Sequence, residues 1–103
     1  SMYAVPLPVD AFVTAPEITS WQKGRGQDRK GDRTSAQVVS SYATMRADTA
    51  PPVQHVTVYV RPDGVCFAQL HGDGAHRLCA AKRRGDQHIY ARDVRVALLR
   101  PTS

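Results

Sequence analysis

The residue types with most to offer chemically are gathered in Asp73-Gly74-Ala75-His76-Arg77-Leu78-Cys79-Ala80-Ala81-Lys82-Arg83-Arg84-Gly85. A strand-like run, Val65 to Leu70, comes before it, then a short glycine loop, then a helical pattern. A helix N-terminus carries unpaired backbone N–H groups and a partial positive charge, which suit a phosphate. Gly72 and Gly74 let the backbone turn tightly and approach a ligand. Arg77 adds a forked, permanently charged donor. The expected phosphate-binding residues are therefore Gly72, Gly74, Ala75, His76 and Arg77. His76, titrating near neutrality, can donate to a phosphate or move a proton. His71, Asp73 and His76 can serve as base and orienter, or bind a divalent ion through Asp73. His76 and Asp73 are thus the candidate catalytic pair. The same residues also fit a turn that binds nothing, with Asp73 capping the helix and His76 a satisfied, half-buried side chain.

Other combinations offer less. Cys66, His71, His76 and Cys79 supply the donor types of a tetrahedral zinc site, but C-x4-H-x4-H-x2-C is not a standard spacing. Alternation places Cys66 in the core of its strand, and no metal site is expected. A Cys66–Cys79 disulfide is not expected in a reducing cytosol. His55 and His88 fall on strands and carry no distinct signal. Glu17 is the chain's one glutamate, so any acid–base work must come from aspartate or histidine.

Lys and Arg number 14 against 9 Asp and Glu, for a net charge of +5. Arginine dominates these cations, which favours phosphate or carboxylate partners. Nucleotide or nucleic acid is the leading partner class. A second candidate region is the basic stretch holding Trp21, Lys23, Arg25, Arg29, Lys30 and Arg33. Its cations can neutralise phosphates while Trp21 stacks on a base. It equally fits a solvated loop anchored by Trp21.

The elements that must position these residues follow from periodicity. Residues 2–103 are expected to form one domain, with a flexible basic loop at about 20–35. Leu, Ile, Val and Phe total 21 of 103 residues, on the border of the disorder-prone range. The valines cluster after Pro52, so the second half should hold most of the core. Tyr3 to Val13 alternates around Pro6 and Pro8 and reads as an edge strand. Thr34 or Ser35 caps a helix to about Arg46, with Val38, Val39, Tyr42 and Met45 on one face. Pro51-Pro52 ends that segment. Val53 to Val60 reads as one strand, turned by Arg61-Pro62-Asp63-Gly64 into a return strand. A helix spans Ala75 to Arg84 and stops at Gly85. Its closing Lys82-Arg83-Arg84 suits the helix dipole. Gln87 to Arg92 and Val94 to Leu99 read as further strands. The fold class is α+β, a small mixed sheet with two main helices. No apolar run reaches membrane-span length and no signal peptide is visible, so a cytoplasmic protein without membrane partners is expected.

With the hairpin at Val56-Thr57-Val58-Tyr59-Val60, the turn Gly72-Asp73-Gly74-Ala75-His76-Arg77, the alanine-rich helix to Gly85 and the strand His88 to Arg92, the chain resembles the ParB/sulfiredoxin superfamily. Pro51-Pro52 and Val5-Pro6-Leu7-Pro8-Val9-Asp10 sit where that family places corresponding segments. The resemblance covers Pro52 to Arg92 well, the first strand faintly and the basic loop not at all. It implies a stand-alone ParB-like core domain with a nucleotide phosphate on Gly74, Ala75, His76 and Arg77. Branches of the superfamily hydrolyse CTP, transfer phosphate, repair a sulfinylated cysteine or cut DNA. Sulfiredoxins carry a cysteine where this chain has Ala75, which argues against that repair. ParB partition proteins resemble Gly-Glu-Arg-Arg-x-Arg-Ala here; this chain keeps Gly74, Arg77 and Ala80 and differs at Ala75, His76 and Cys79. The expected function is nucleotide or phosphate binding, with hydrolysis, phosphotransfer or nuclease activity open and magnesium accompanying a nucleotide. The alternative is a non-enzymatic DNA- or RNA-binding module or an inhibitor-like interaction domain.

Overall fold

Alternating side chains set the strands of this chain, and two left-handed residues decide where the strands bend. The computed structural model describes residues 3–13, 29–30, 33–45, 50–72 and 74–101. In chain order the elements are β1 (Val5–Pro8), a 3-10 turn (Val9–Ala11), β2 (Arg29–Lys30), β3 (Arg33–Thr34), α1 (Ser35–Ala43), β4 (Val53–Gln54), β5 (Val56–Val60), β6 (Cys66–Leu70), α2 (Ala75–Arg84), β7 (His88–Arg92) and β8 (Arg95–Leu98). The fold is a small α+β arrangement. Among the described residues, two three-stranded mixed sheets, ordered β1-β7-β4 and β6-β5-β8, accompany two helices and the short β2-β3 pair.

The stretch expected as one strand, Val53 to Val60, is interrupted at His55. Val53 pairs with Ala91 in one sheet and Thr57 with Arg95 in the other, both parallel and at the same offset. β4–β5 and β7–β8 are therefore one bent pair of strands. The bend falls at His55 and Asp93, opposite each other on that register, with φ of 61° and 52°. Non-glycine residues adopt this conformation uncommonly, though His and Asp are enriched in it. The bend switches which alternate positions face inward. Val53 and Ala91 are buried before it, and Val56 after it, with Val94 packed against the same core.

β1 is an edge strand, antiparallel to β7, with Leu7 opposite Ile89. An edge tolerates the missing N–H groups of Pro6 and Pro8. The β5–β6 hairpin closes through Gly64 N–H donating to the Arg61 carbonyl at 2.9 Å, while Asp63 Oδ1 accepts from Val65 N–H at 3.0 Å. Asp supplies this side-chain bond readily in turns.

α1 begins with a capping box. Thr34 Oγ1 accepts from Gln37 N–H at 3.2 Å and Gln37 Oε1 from Thr34 N–H at 2.8 Å, satisfying two otherwise orphaned donors. Val38 and Val39 are buried and Tyr42 half-buried, but the helix ends at Ala43 and Met45 is exposed. Met45 thus falls beyond the helical turn that would have aimed it inward.

α2 runs from Ala75 to Arg84 as its periodicity predicts. Its C-terminus closes with Asp86 N–H donating to the Ala81 carbonyl at 3.0 Å around Gly85, the wider bond of a Schellman motif. Leu78, Cys79, Ala80 and Ala81 are buried against Val39, Val53, Val56 and Ala91. Burying Leu78 contributes about 1.5–3 kcal/mol, and Leu78→Ala is the single change expected to open this core. β8 contributes less than its apolar residues suggest: Val96 and Leu98 are 67% and 77% exposed. Alanines of α2, which allow close helix–sheet approach, occupy the core instead.

Cross-helix bonds rise together along both helices. His76 meets Ser35, Arg83 donates to Ser40 Oγ at 3.0 Å and Arg84 to the Tyr42 carbonyl at 2.6 Å. The helices therefore run in the same direction. Arg84 also pairs with Asp86 at 2.8 Å, the two side chains 16% and 17% exposed. The basic end of α2 thus ties three segments together, beyond complementing its dipole.

Candidate functional site

Because α1 and α2 are parallel, their N-termini lie side by side, and the partial positive charges of both helices meet there. Gly74 is the residue before the first turn of α2, with φ 94° and no side-chain cap. Two independent causes require glycine here. The backbone is left-handed, and a Cβ would stand 2.6 Å from Val53 Cγ1. The turn is pressed onto β4, with the Leu78 N–H donating to the Gly74 carbonyl at 2.8 Å. The N–H groups of Ala75, His76 and Arg77 occupy the helix start, where an α-helix offers its backbone donors outward.

His76 lies half-buried on the second residue of α2, and its Nε2 shares a 3.0 Å hydrogen bond with Ser35 Oγ. Ser35 is buried at the first position of α1. The pair joins the two helix starts. Sequence reasoning missed Ser35 as a site residue, because its partner lies 41 positions away and only the parallel helix packing brings them together.

Arg77 faces differently from the expected phosphate clamp. Its Nη1 donates to the Pro52 carbonyl at 2.7 Å and to the Pro51 carbonyl at 3.3 Å. These carbonyls belong to the segment leading into β4, where prolines leave the chain without N–H donors of its own. Gly72 is exposed with φ 81°. Asp73, the expected cap, orienter or base, lies outside the described residues.

Of the basic stretch, Trp21, Lys23 and Arg25 lie outside the described residues. The end of the segment expected to be a loop is instead a short antiparallel ladder, pairing Arg29 with Thr34 and Lys30 with Arg33. Arg33 is exposed, and β3 runs directly into the cap of α1. This basic ladder therefore adjoins the same helix start as Ser35 and His76.

The two cysteines are not joined in a disulfide, and their placement reverses one expectation: Cys66 is exposed, whereas Cys79 is buried. Cys66 shares the alternating face of Ala68 and Leu70, but it stands next to the hairpin turn, where the core has run out. Burial pushes the Cys79 thiol above its ordinary value, with Arg83 and Lys82 drawing it partly back. Among the described residues no three His, Cys, Asp or Glu side chains are grouped to hold a metal ion. No helix among them is long and apolar enough to cross a membrane. Compared with known proteins, the chain matches no family model and no curated protein.

Proposed function

We propose that the chain is a ParB/sulfiredoxin-like domain that binds the phosphate of a nucleotide at Gly74 to Arg77. The observation that carries this reading is the convergence of two parallel helix starts on one hydrogen-bonded pair, Ser35 and His76. Backbone N–H groups of Ala75, His76 and Arg77 hold the anion, as helix starts do in other phosphate sites. Gly74 lets the turn press onto Val53 of β4 and so fixes where the helix start lies. Arg77 adds positive charge while holding the Pro51–Pro52 lead-in. His76 is the group for proton transfer in any turnover, with Ser35 setting its ring orientation. Magnesium arrives with the nucleotide, since it commonly keeps its waters and uses few protein ligands.

Calorimetric titration with ATP, ADP, CTP and GTP, each with magnesium, tests the reading. Ala75→Asp places a carboxylate at the half-buried helix start, where it would repel a phosphate. Saturable binding by one nucleotide, lost in Ala75→Asp while the melting temperature holds, is the expected result. No binding across the panel, or binding unchanged in Ala75→Asp, overturns it.

A further inference from the structure

The bend at His55 and Asp93 leaves β5, β6 and β8 with an outward face that neither the core nor the phosphate turn uses. Odd-numbered positions lie on it: Thr57 and Tyr59 of β5, Phe67 and Gln69 of β6, Arg95 and Ala97 of β8, aligned by the ladder registers. Tyr59 and Phe67 are direct cross-strand partners. Their rings stack with centroids 5.1 Å apart and planes at 20°. Together they make an apolar ledge in the middle of the face.

A groove carrying at least one arginine lies at each end of β5. Toward the bend, a groove of about 420 Å3 is lined by His55, Thr57, Tyr59, His71, Asp93 and Arg95. Thr57 Oγ1 and His71 Nε2 share a 2.7 Å hydrogen bond within it. Toward the hairpin, a second groove of about 450 Å3 is lined by Arg61, Asp63, Leu99 and Arg100. Of the two carboxylates present, Asp63 pairs with Arg61 at 3.4 Å and Asp93 lies 3.9 Å from the His55 ring. Both pairs are more than half exposed, so they exchange readily for another anion.

We propose that this sheet face is a platform for single-stranded nucleic acid, with a base on the Tyr59–Phe67 ledge and flanking phosphates beside Arg95 and Arg61. Three observations select that occupant. Cations at both ends of an aromatic ledge match an alternating chain of phosphates and bases. His55 to Arg61 spans about 20 Å of strand, room for the two or three bases a sheet face typically stacks. Both grooves are open, so a small free ligand would leave much of its surface in water, whereas a strand gains contacts along the whole face. A duplex keeps its bases stacked on one another and has none to offer the ledge. The inference shares no residue with the phosphate turn and stands or falls separately from it.

The test is fluorescence anisotropy with a labelled eight-nucleotide oligothymidylate, titrated with the whole chain at several salt concentrations. Saturable binding is expected, weaker for the corresponding duplex. Tyr59→Ala should weaken it about 5- to 150-fold, while Tyr59→Phe should retain it. Arg95→Gln, at an exposed position that leaves the fold intact, should reduce the slope of log affinity against log salt by about 0.7. Absence of saturable binding at low salt, equal affinity for the duplex, or an unchanged salt slope in Arg95→Gln overturns the proposal.

Discussion

Gly74→Ala puts the most direct demand on the reasoning. The added Cβ would stand 2.6 Å from Val53 Cγ1 and 2.9 Å from Val53 Cβ, on a backbone with φ +94°. A left-handed conformation costs a non-glycine residue roughly 1–2 kcal/mol. Overpacking in a close-packed region adds about 1–3 kcal/mol. Their sum, about 2–5 kcal/mol, is a large share of the roughly 5–15 kcal/mol that stabilises a domain of this size. Gly72 is the internal control: its φ is +81°, but a Cβ there meets nothing within 4 Å. Gly72→Ala should therefore cost only the conformational part, roughly 1–2 kcal/mol. Urea titration of both variants separates the two causes, and a thermal melt should fall by about 4–8 °C for each kcal/mol lost. Val53→Ala removes the nearer contact atom, so Gly74→Ala should cost less in that background, a coupling within the range of about 0.5–3 kcal/mol seen for touching residues. Equal costs for Gly72→Ala and Gly74→Ala, or no relief from Val53→Ala, would refute the packing account of the turn.

Thr34→Ala should lose about 1 kcal/mol in urea titration, because it breaks the capping box with Gln37, and Thr34→Ser should retain most of it. Ellman's reagent should titrate the exposed Cys66 in the native protein and reach the buried Cys79 only after unfolding. Burial raises the Cys79 thiol above 9.0, so the unfolded chain ionises first as pH rises. The stability linked to Cys79 is present below that pH and lost as pH climbs through the folded-state value, and urea titrations on either side of it should show the fall. Arg77→Ala should destabilise by about 1.5–3 kcal/mol, because it removes the Nη1 that donates to both the Pro51 and Pro52 carbonyls; amide exchange at Val53 should rise with it.

What was legible in the sequence was what a few consecutive residues decide. The Thr34 cap, the hairpin through Gly64 and the span of α2 from Ala75 to Arg84 each depend on bonds within about five residues, and each stands where its pattern puts it. The partners of functional side chains did not show in this way. Arg77 turns toward carbonyls 25 and 26 positions upstream, and His76 toward a serine on the other helix. Alternation correctly put Cys66 on the face of Ala68, but periodicity carries no information on how far a core extends across that face.

The bend illustrates the same division and explains why the candidate site lies where it does. Val53 to Val60 reads as one strand because Val56, Val58 and Val60 alternate with His55, Thr57 and Tyr59, although the three-residue step from Val53 to Val56 already carries the change of phase. Only the pairing with β7 and β8 shows that His55 and Asp93 turn left-handed at the same rung. That shared turn reverses the inward parity of both strands at once, so the ladder survives while its direction changes. Val53, just before the turn, is thereby free to press on Gly74 and fix the start of α2. Val56, just after it, packs beneath the same helix. The residues displaced outward by the reversal, Thr57, Tyr59 and Arg95, become the open face. One bend thus sets both surfaces, the helix start on the inner side and the aromatic ledge on the outer. Straightening either strand alone would break the common register and disturb the two together.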